Sequence, residues 1–311
     1  MTAKKSLFSM FGIGDAKDGR VFPVHQPGRN TPREIPWYRF KAEILRPILL
    51  WDQGIGSKNL YLPGPTAAGK TSLVEQVLAR TGKQVFKVGC HKRIEMADFL
   101  GRLTIKKDGS TEFVYGALPL AMKLGGVLLM DESDQLSPTT AMGLVPILDG
   151  GSVYIPETGE WIDPHPDFRV AATGNTAGRG DESGLYRGAE RQNVAWLTRF
   201  IFVKVDYLSV DEEVELLHHI APELPEDISR AMAKTASEVR KVFVGASLDG
   251  ELETVISTRD LLQWAQLTVA YSGVSDCDPI MEGLNLAVLN SSPQHEVDAI
   301  RGIWQRITGE E

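Results

Sequence analysis

One octapeptide limits this chain more than anything else in it. "GPTAAGKT", Gly64 to Thr71, follows the apolar run "NLYLP" and opens the helical pattern "TSLVEQVLAR", in which Leu73, Val77 and Leu78 share a face. Strand, glycine-bounded loop and helix are the context that the P-loop pattern GxxxxGK[ST] requires. Gly64 and Gly69 let the backbone amides across Pro65, Thr66, Ala67 and Ala68 turn toward phosphate oxygens, and Ser72 continues into the helix. Lys70 is placed to neutralise β- and γ-phosphate charge, and the Thr71 hydroxyl is a Mg²⁺ ligand.

Such a loop needs a parallel sheet behind it, and the chain supplies the strands. "QVFKV", "GVLLM", "FRVAAT" and "FIFVKV" join "NLYLP" as continuous apolar runs separated by helical patterns. That alternation means an α/β domain: a parallel five-stranded sheet with helices on both faces. Two inserts break it. "LTIKKDGSTEFVY" alternates around Asp108-Gly109 and "SVYIPETGEWI" around Thr158-Gly159, so both read as β-hairpins. After about Leu208 the strand signal fades. "SVDEEVELLHHI" opens with the capping-box pair Ser209 and Glu212, and "RDLLQWAQLTVAY" and "HEVDAIRGIWQRI" are further helices. The expected organisation is an extended arm over 1–36, an α/β nucleotide-binding domain over 37–207 and a smaller α-helical lid over 208–311.

Further along, "GVLLMDE" puts acids at the carboxyl end of a buried strand, beside the P-loop. Asp131 is the expected second Mg²⁺ residue, and Glu132 is placed to polarise a water. Glu132 separates a hydrolase from a passive nucleotide switch, and the chain carries no NKxD guanine motif, so ATP is the expected nucleotide. "FRVAATGN" ends in Asn175, whose amide would lie near the γ-phosphate. "RGAERQNVAWLTRF", 187–200, has an amphipathic helical pattern with arginines at 187, 191 and 199 ahead of the last strand.

Together the P-loop, "LLMDE", Asn175, the arginines and the helical lid resemble an AAA+ ATPase. The two hairpins narrow the resemblance to the MoxR branch, and "DPHPDFRVAATGNTAGRGDESGLYRG" with "LTRF" is similar to the ATPase motor subunit of aerobic cobalt chelatases. It covers about Tyr61 to Phe200 and extends more weakly into the lid; Arg187 stands where a histidine is expected. The resemblance implies a 5-1-4-3-2 sheet, a homo-oligomeric ring, usually a hexamer, and ATP between subunits. It also implies a separate partner carrying a von Willebrand A domain, since no DxSxS-type motif of that domain occurs here. Arg199 matches an arginine finger acting on the next subunit, and Arg259, in "STRDLL", matches the lid's sensor arginine. Arg187 and Arg191 stay open as interface residues or a competing finger.

The remaining features set limits. A net charge of -8 leans against a dedicated nucleic-acid binder. Lysines in "IKKDG" keep a nucleic-acid translocase as the alternative to a motor that remodels a protein client or drives metal insertion. Two cysteines cannot build a disulfide framework, and Cys90 with His91 lacks further ligands at zinc spacing. No apolar run approaches the roughly 18 residues a membrane span needs, and the start "MTAKKSLFSMFGIGDAK" has too short an apolar stretch and no cleavage site for a signal peptide. A cytoplasmic protein is expected.

Overall fold

The structure, a computed structural model, describes residues 3–13, 21–181, 184, 186, 188–243 and 252–309. Five parallel strands form its central sheet: β1 (Asn59–Pro63), β2 (Val85–Gly89), β3 (Val127–Asp131), β4 (Arg169–Gly174) and β5 (Ile201–Phe202). Their order across the sheet is 5-1-4-3-2, with every pairing parallel. The three central strands are apolar without alternation because successive side chains face opposite sides and both sides are covered. Leu60, Tyr61 and Leu62 are all buried, as are Leu128, Leu129 and Met130. The last strand is short in pairing but continues as a ladder, since the Val203 and Val205 amides donate to the Tyr61 and Pro63 carbonyls.

This order brings the carboxyl ends of β1, β3 and β4 side by side. The helix Lys70–Thr81 starts at that edge, directly after the loop that leaves β1. Both hairpins are present, Gly101–Ile105 with Thr111–Tyr115 and Val153–Ile155 with Glu160–Ile162. Gly109 and Gly159 sit at their turns with φ of 83° and 67°, a backbone that favours glycine.

The chain divides into two units, 1–64 with 70–205, and 65–69 with 206–311. The second unit holds the helices Val210–Ile220, Glu226–Lys241, Thr258–Tyr271, Pro279–Ala287 and Gln294–Thr308. Ser209 and Glu212 form the anticipated capping box. Trp264 and Trp304 meet edge to face in the core of this unit, with ring centroids 5.2 Å apart. Nearby, Arg240 makes a bidentate pair with Glu213, both buried.

Two sequence expectations need correction. The amino-terminal segment is not simply extended. Ala3–Ser6 pairs antiparallel with Val21–Val24, and a short helix, Leu7–Phe11, follows the first of these strands. The next stretch is docked through polar bonds. Ile35 N–H donates to the Gln76 side chain, Gln76 donates back to the Arg33 carbonyl, and the Arg80 guanidinium bonds the Ile35 carbonyl and lies over the Phe40 ring. Proline and glycine content hid these partners, which lie 40 residues or more away in sequence. The second correction concerns 187–200, where the helix is a single turn, Val194–Leu197, capped by Asn193. Tertiary bonds override the amphipathic pattern there: Arg191 forms a β-bridge with Arg179, and the buried Gln192 amide donates to the Leu136 carbonyl. Arg187 lies outside the described residues.

Candidate active site

The loop between β1 and its helix is shaped by two kinds of backbone constraint. At Gly64 the constraint is close approach: a Cβ there would come 2.0 Å from the Val205 carbonyl oxygen. At Gly69 it is conformation, since φ is +84° with open space around the missing Cβ. Ala67, between them, also takes a left-handed φ of 51°, which costs a non-glycine residue roughly 1–3 kcal/mol and is typical of ligand-binding turns. Within its own unit, the Thr66 carbonyl accepts a bond from the Tyr207 hydroxyl, and the Tyr207 ring carries the Arg240 guanidinium at 4.2 Å.

Lys70 begins the helix. Its ammonium bonds the Gly64 carbonyl at 2.9 Å and the Asn175 side-chain oxygen at 2.8 Å. Burial pulls its pKa down to about 8, and the charges of Asp134, Asp131 and Glu132 offset only part of that loss. Holding the ammonium charged in this buried place is costly, and an incoming phosphate would offset that cost.

Thr71 and Asp131 meet as expected. The Thr71 hydroxyl donates to Asp131 Oδ1 at 2.6 Å, and Thr173 donates to the same oxygen at 2.7 Å. Lys87 Nζ lies 2.9 Å from Asp131 Oδ2. Burial alone would push the Asp131 carboxyl up, but bonds from Thr71, Thr173 and Lys87, with the Lys87 charge, hold it below the usual carboxylate range. A threonine hydroxyl beside an ionised carboxylate is the hard-oxygen set that suits Mg²⁺, which takes one or two protein ligands and fills its octahedron with phosphate oxygens and water. No cluster of three or more His, Cys, Asp or Glu occurs among the described residues.

Glu132 departs from ordinary backbone: its φ of 57° and ψ of 42° are left-handed. Its amide donates to Thr173 Oγ1, and its carboxylate accepts a 2.6 Å bond from the Gln135 side chain. This turn throws an exposed carboxylate out past the end of β3, as a base needs in order to meet water.

Asn175 is held from behind by a residue the sequence reading missed. Asp134 is buried, and its Oδ2 accepts from the Asn175 amide at 2.6 Å, the Thr176 amide at 3.0 Å and the Thr176 hydroxyl at 3.2 Å. Thr173, Lys87 and Gln135 were missed too. The run "DESD" carried a signal for Asp134, a third acid one short turn beyond the other two; Lys87 sits in a strand with none.

Arg199 lies at the other edge of the sheet. The Arg199 carbonyl accepts bonds from Ser57 Oγ and Asn59 Nδ2, at the amino end of β1. Five strand steps of about 3.3 Å separate that end from Gly64, so the Arg199 backbone stands roughly 16 Å from Gly64. Its guanidinium forms a bidentate pair with Asp149, both bonds 2.9 Å, and bonds the Ala195 carbonyl. Arg259 is exposed in the first turn of Thr258–Tyr271, a helix capped by Ser257 and Asp260. Cys90 is a buried thiol whose pKa burial pushes up, and His91 beside it is exposed.

Comparison with known proteins agrees with this geometry. Residues 59–187 match the AAA domain of the dynein-related subfamily, and residues 213–296 match the CbbQ/NirQ/NorQ C-terminal domain. The aerobic cobaltochelatase subunit CobS of a Sinorhizobium species is 30% identical over 267 residues, covering 84% of this chain and 79% of CobS. Protein NorQ of Paracoccus denitrificans is 30% identical over 211 residues, covering 67% of this chain and 73% of NorQ. A mutant RuvB structure from Thermotoga maritima shares the fold at a TM-score of 0.52 and 16% identity, covering 82% of this chain and 73% of RuvB. With its P-loop, its acidic β3 end and its 5-1-4-3-2 sheet, the chain belongs to the MoxR-type AAA+ ATPases, in the family that includes CobS and NorQ.

Proposed function

We propose that this chain hydrolyses ATP with Mg²⁺ as one subunit of a homo-oligomeric ring, most simply a hexamer, and uses the cycle to remodel a protein client. The observation that carries this reading is the separation of charge on the sheet. Lys70, Thr71, Asp131, Glu132 and Asn175 gather at the carboxyl edge, while Arg199 stands at the amino edge, beyond reach of the same phosphates. A neighbouring copy supplies the natural target for that arginine.

Bound Mg²⁺ would supply charge neutralisation for the phosphates. The protein groups do the rest. Backbone amides of 64–69 and the Lys70 ammonium bind and orient the phosphate chain. Thr71 and Asp131 hold the metal side, Glu132 takes a proton from water, and Asn175 positions the water side of the site. Arg199 of one subunit completes the next subunit's site, and Arg259 senses the bound nucleotide from the lid. In this reading the client machinery resembles that of the cobaltochelatase and NorQ relatives, with a separate von Willebrand A-domain partner handling metal insertion or client contact.

Mixing experiments test the trans assignment. Lys70→Ala and Arg199→Ala each abolish turnover alone, yet mixed rings recover part of it, because a Lys70→Ala subunit still offers its arginine to an intact neighbour. Absence of recovery in rings shown to be mixed overturns the assignment. A nucleic-acid translocase is the second reading, resting on the lysines near the first hairpin tip. Lys106 is engaged by Glu112 at 3.2 Å, which weakens it; DNA-stimulated turnover that falls steeply with salt would restore it.

A further inference from the structure

Beside the metal position lies a polar square of which the ATP reading uses two corners, Thr71 and Asp131, and leaves two, Lys87 and Glu75. Asp131 and Lys87 project from the same face of the sheet, because Lys87 pairs with Leu129, two residues before Asp131 on the neighbouring strand. Thr71 and Glu75 share a face of the helix, four residues apart. The two faces meet corner to corner: Thr71 to Asp131 at 2.6 Å, Asp131 to Lys87 at 2.9 Å, and Lys87 to Glu75 at 3.8 Å.

Asp131 therefore has both oxygens engaged. Oδ1 takes two hydroxyls and Oδ2 takes the ammonium. A divalent cation drawn to this carboxylate meets a lysine already neutralising it. Lys87 is half-exposed, so its stem can swing, and Glu75 offers a second carboxylate less than 4 Å away.

We propose that Lys87 is a positioning residue that acts as a resident counter-cation, holding Asp131 when no metal is bound and moving to Glu75 when Mg²⁺ arrives. The inference rests on the Mg²⁺–ATP reading above. It explains how a partly buried carboxylate keeps its charge and direction between turnovers without a metal. It also means that metal binding displaces a cation, which sets the Mg²⁺ concentration at which the site fills.

The two ends of the exchange act in opposite directions. With Lys87 removed, the competing charge is gone and the metal binds more tightly. A unit charge about 6 Å from a divalent ion in a solvated site costs on the order of 1 kcal/mol, a factor of roughly 3 to 10. Removing Glu75 takes away the resting place of the displaced ammonium, so metal binding weakens by roughly two- to three-fold.

The test titrates Mg²⁺ calorimetrically into protein in excess over a non-hydrolysable ATP analogue, so that all nucleotide is bound and turnover plays no part. The expected midpoint falls about 3- to 10-fold in Lys87→Met, stays within about two-fold of native in Lys87→Arg, and rises in Glu75→Gln. An unchanged or raised midpoint in Lys87→Met overturns the proposal, as does a Glu75→Gln shift in the same direction as Lys87→Met. Binding of the analogue by each variant without Mg²⁺ shows that the site is folded. Failure of native protein to bind the analogue at all would remove the ATP reading itself, and this inference with it; a native midpoint with unshifted variants removes this inference alone.

Discussion

The two edges of the sheet carry the same kinds of group and treat them differently. At the carboxyl edge, the lysine bonds the asparagine, the threonine hydroxyl bonds the aspartate, and the glutamate follows on a left-handed turn. At the amino edge, Arg199 has a half-exposed aspartate and a carbonyl for company, and in the proposed ring its target lies on the next subunit. The first edge is built to hold a ligand. The second holds an arginine paired with an aspartate of its own chain. On the proposed reading, a site finished within one chain shows itself as clustering and strain, and a site finished by assembly as a charged group held apart from it.

The sharpest way to break this contrast is to remove one charge from each edge. Arg199→Ala is expected to cut turnover of the assembled protein by about 10³–10⁵-fold while nucleotide affinity stays within a few-fold, because the arginine stabilises charge developing in the reaction. Lys70→Ala is expected to lose both turnover and affinity. Steady-state kinetics together with calorimetric nucleotide binding separates the two patterns. Equal loss of affinity in Arg199→Ala would mean that the edges are not distinct.

A second test sets the two loop glycines against each other. Gly64→Ala drives a Cβ to 2.0 Å from backbone at Val205, which neither strand can yield cheaply; a loss of about 2–4 kcal/mol in denaturant unfolding is expected. Gly69→Ala meets open space and carries only the left-handed backbone cost, about 1 kcal/mol. Comparable losses at both positions would show that close approach is not what fixes Gly64.

The sequence made the convergent edge readable because its signals are local. Glycine spacing, a lysine-threonine pair and an apolar strand ending in two acids each occupy a few consecutive residues, and their order fixes the fold that joins them. The support behind them was invisible for the opposite reason. Asp134 reaches the Asn175 amide across 41 residues, and Lys87 reaches Asp131 across 44, through a strand pairing that no periodicity reveals. The same applies to 187–200, where an amphipathic pattern yields one helical turn because Gln192 and Arg191 bond elsewhere. Local pattern reports what a segment prefers. Long-range polar bonds decide where it departs from that preference.

Acidity provides a smaller test at the carboxyl edge. Burial places the Lys70 pKa at about 8, against an ordinary 10.5. Since the depressed value belongs to the folded state, the unfolded chain holds that proton more firmly between pH 8 and 10.5. Stability of the nucleotide-free fold therefore gains from this residue as pH rises through that window, and the cost of burying the charge is complete below pH 8. Nucleotide affinity moves the other way, flat below about pH 8 and then falling by up to ten-fold per pH unit, because phosphates need the ammonium. Lys70→Arg removes the fall, whatever its effect on turnover, and a fall that persists in Lys70→Arg would assign it to another group.

The smallest expected effect lies at the amino edge and bears on what Asp149 does there. Its pair with Arg199 is bidentate but partly solvated, with the aspartate side chain 51% exposed, and such pairs contribute under about 1 kcal/mol. Asp149→Asn is therefore expected to leave unfolding stability within about 0.5 kcal/mol of native. Its effect on turnover separates two roles. If Asp149 only holds the arginine in the lone subunit, freeing Arg199 raises assembled turnover by less than about five-fold, the value of the pair that no longer has to break. If Asp149 instead aims the guanidinium at the next subunit, the same substitution lowers turnover, and the arginine behaves as half of a two-residue device. The weakness of the pair favours the first outcome. In the proposed cycle the arginine must leave its partner each time, and such a group is best held by a bond that costs little to break, as a half-exposed aspartate at a helix end provides.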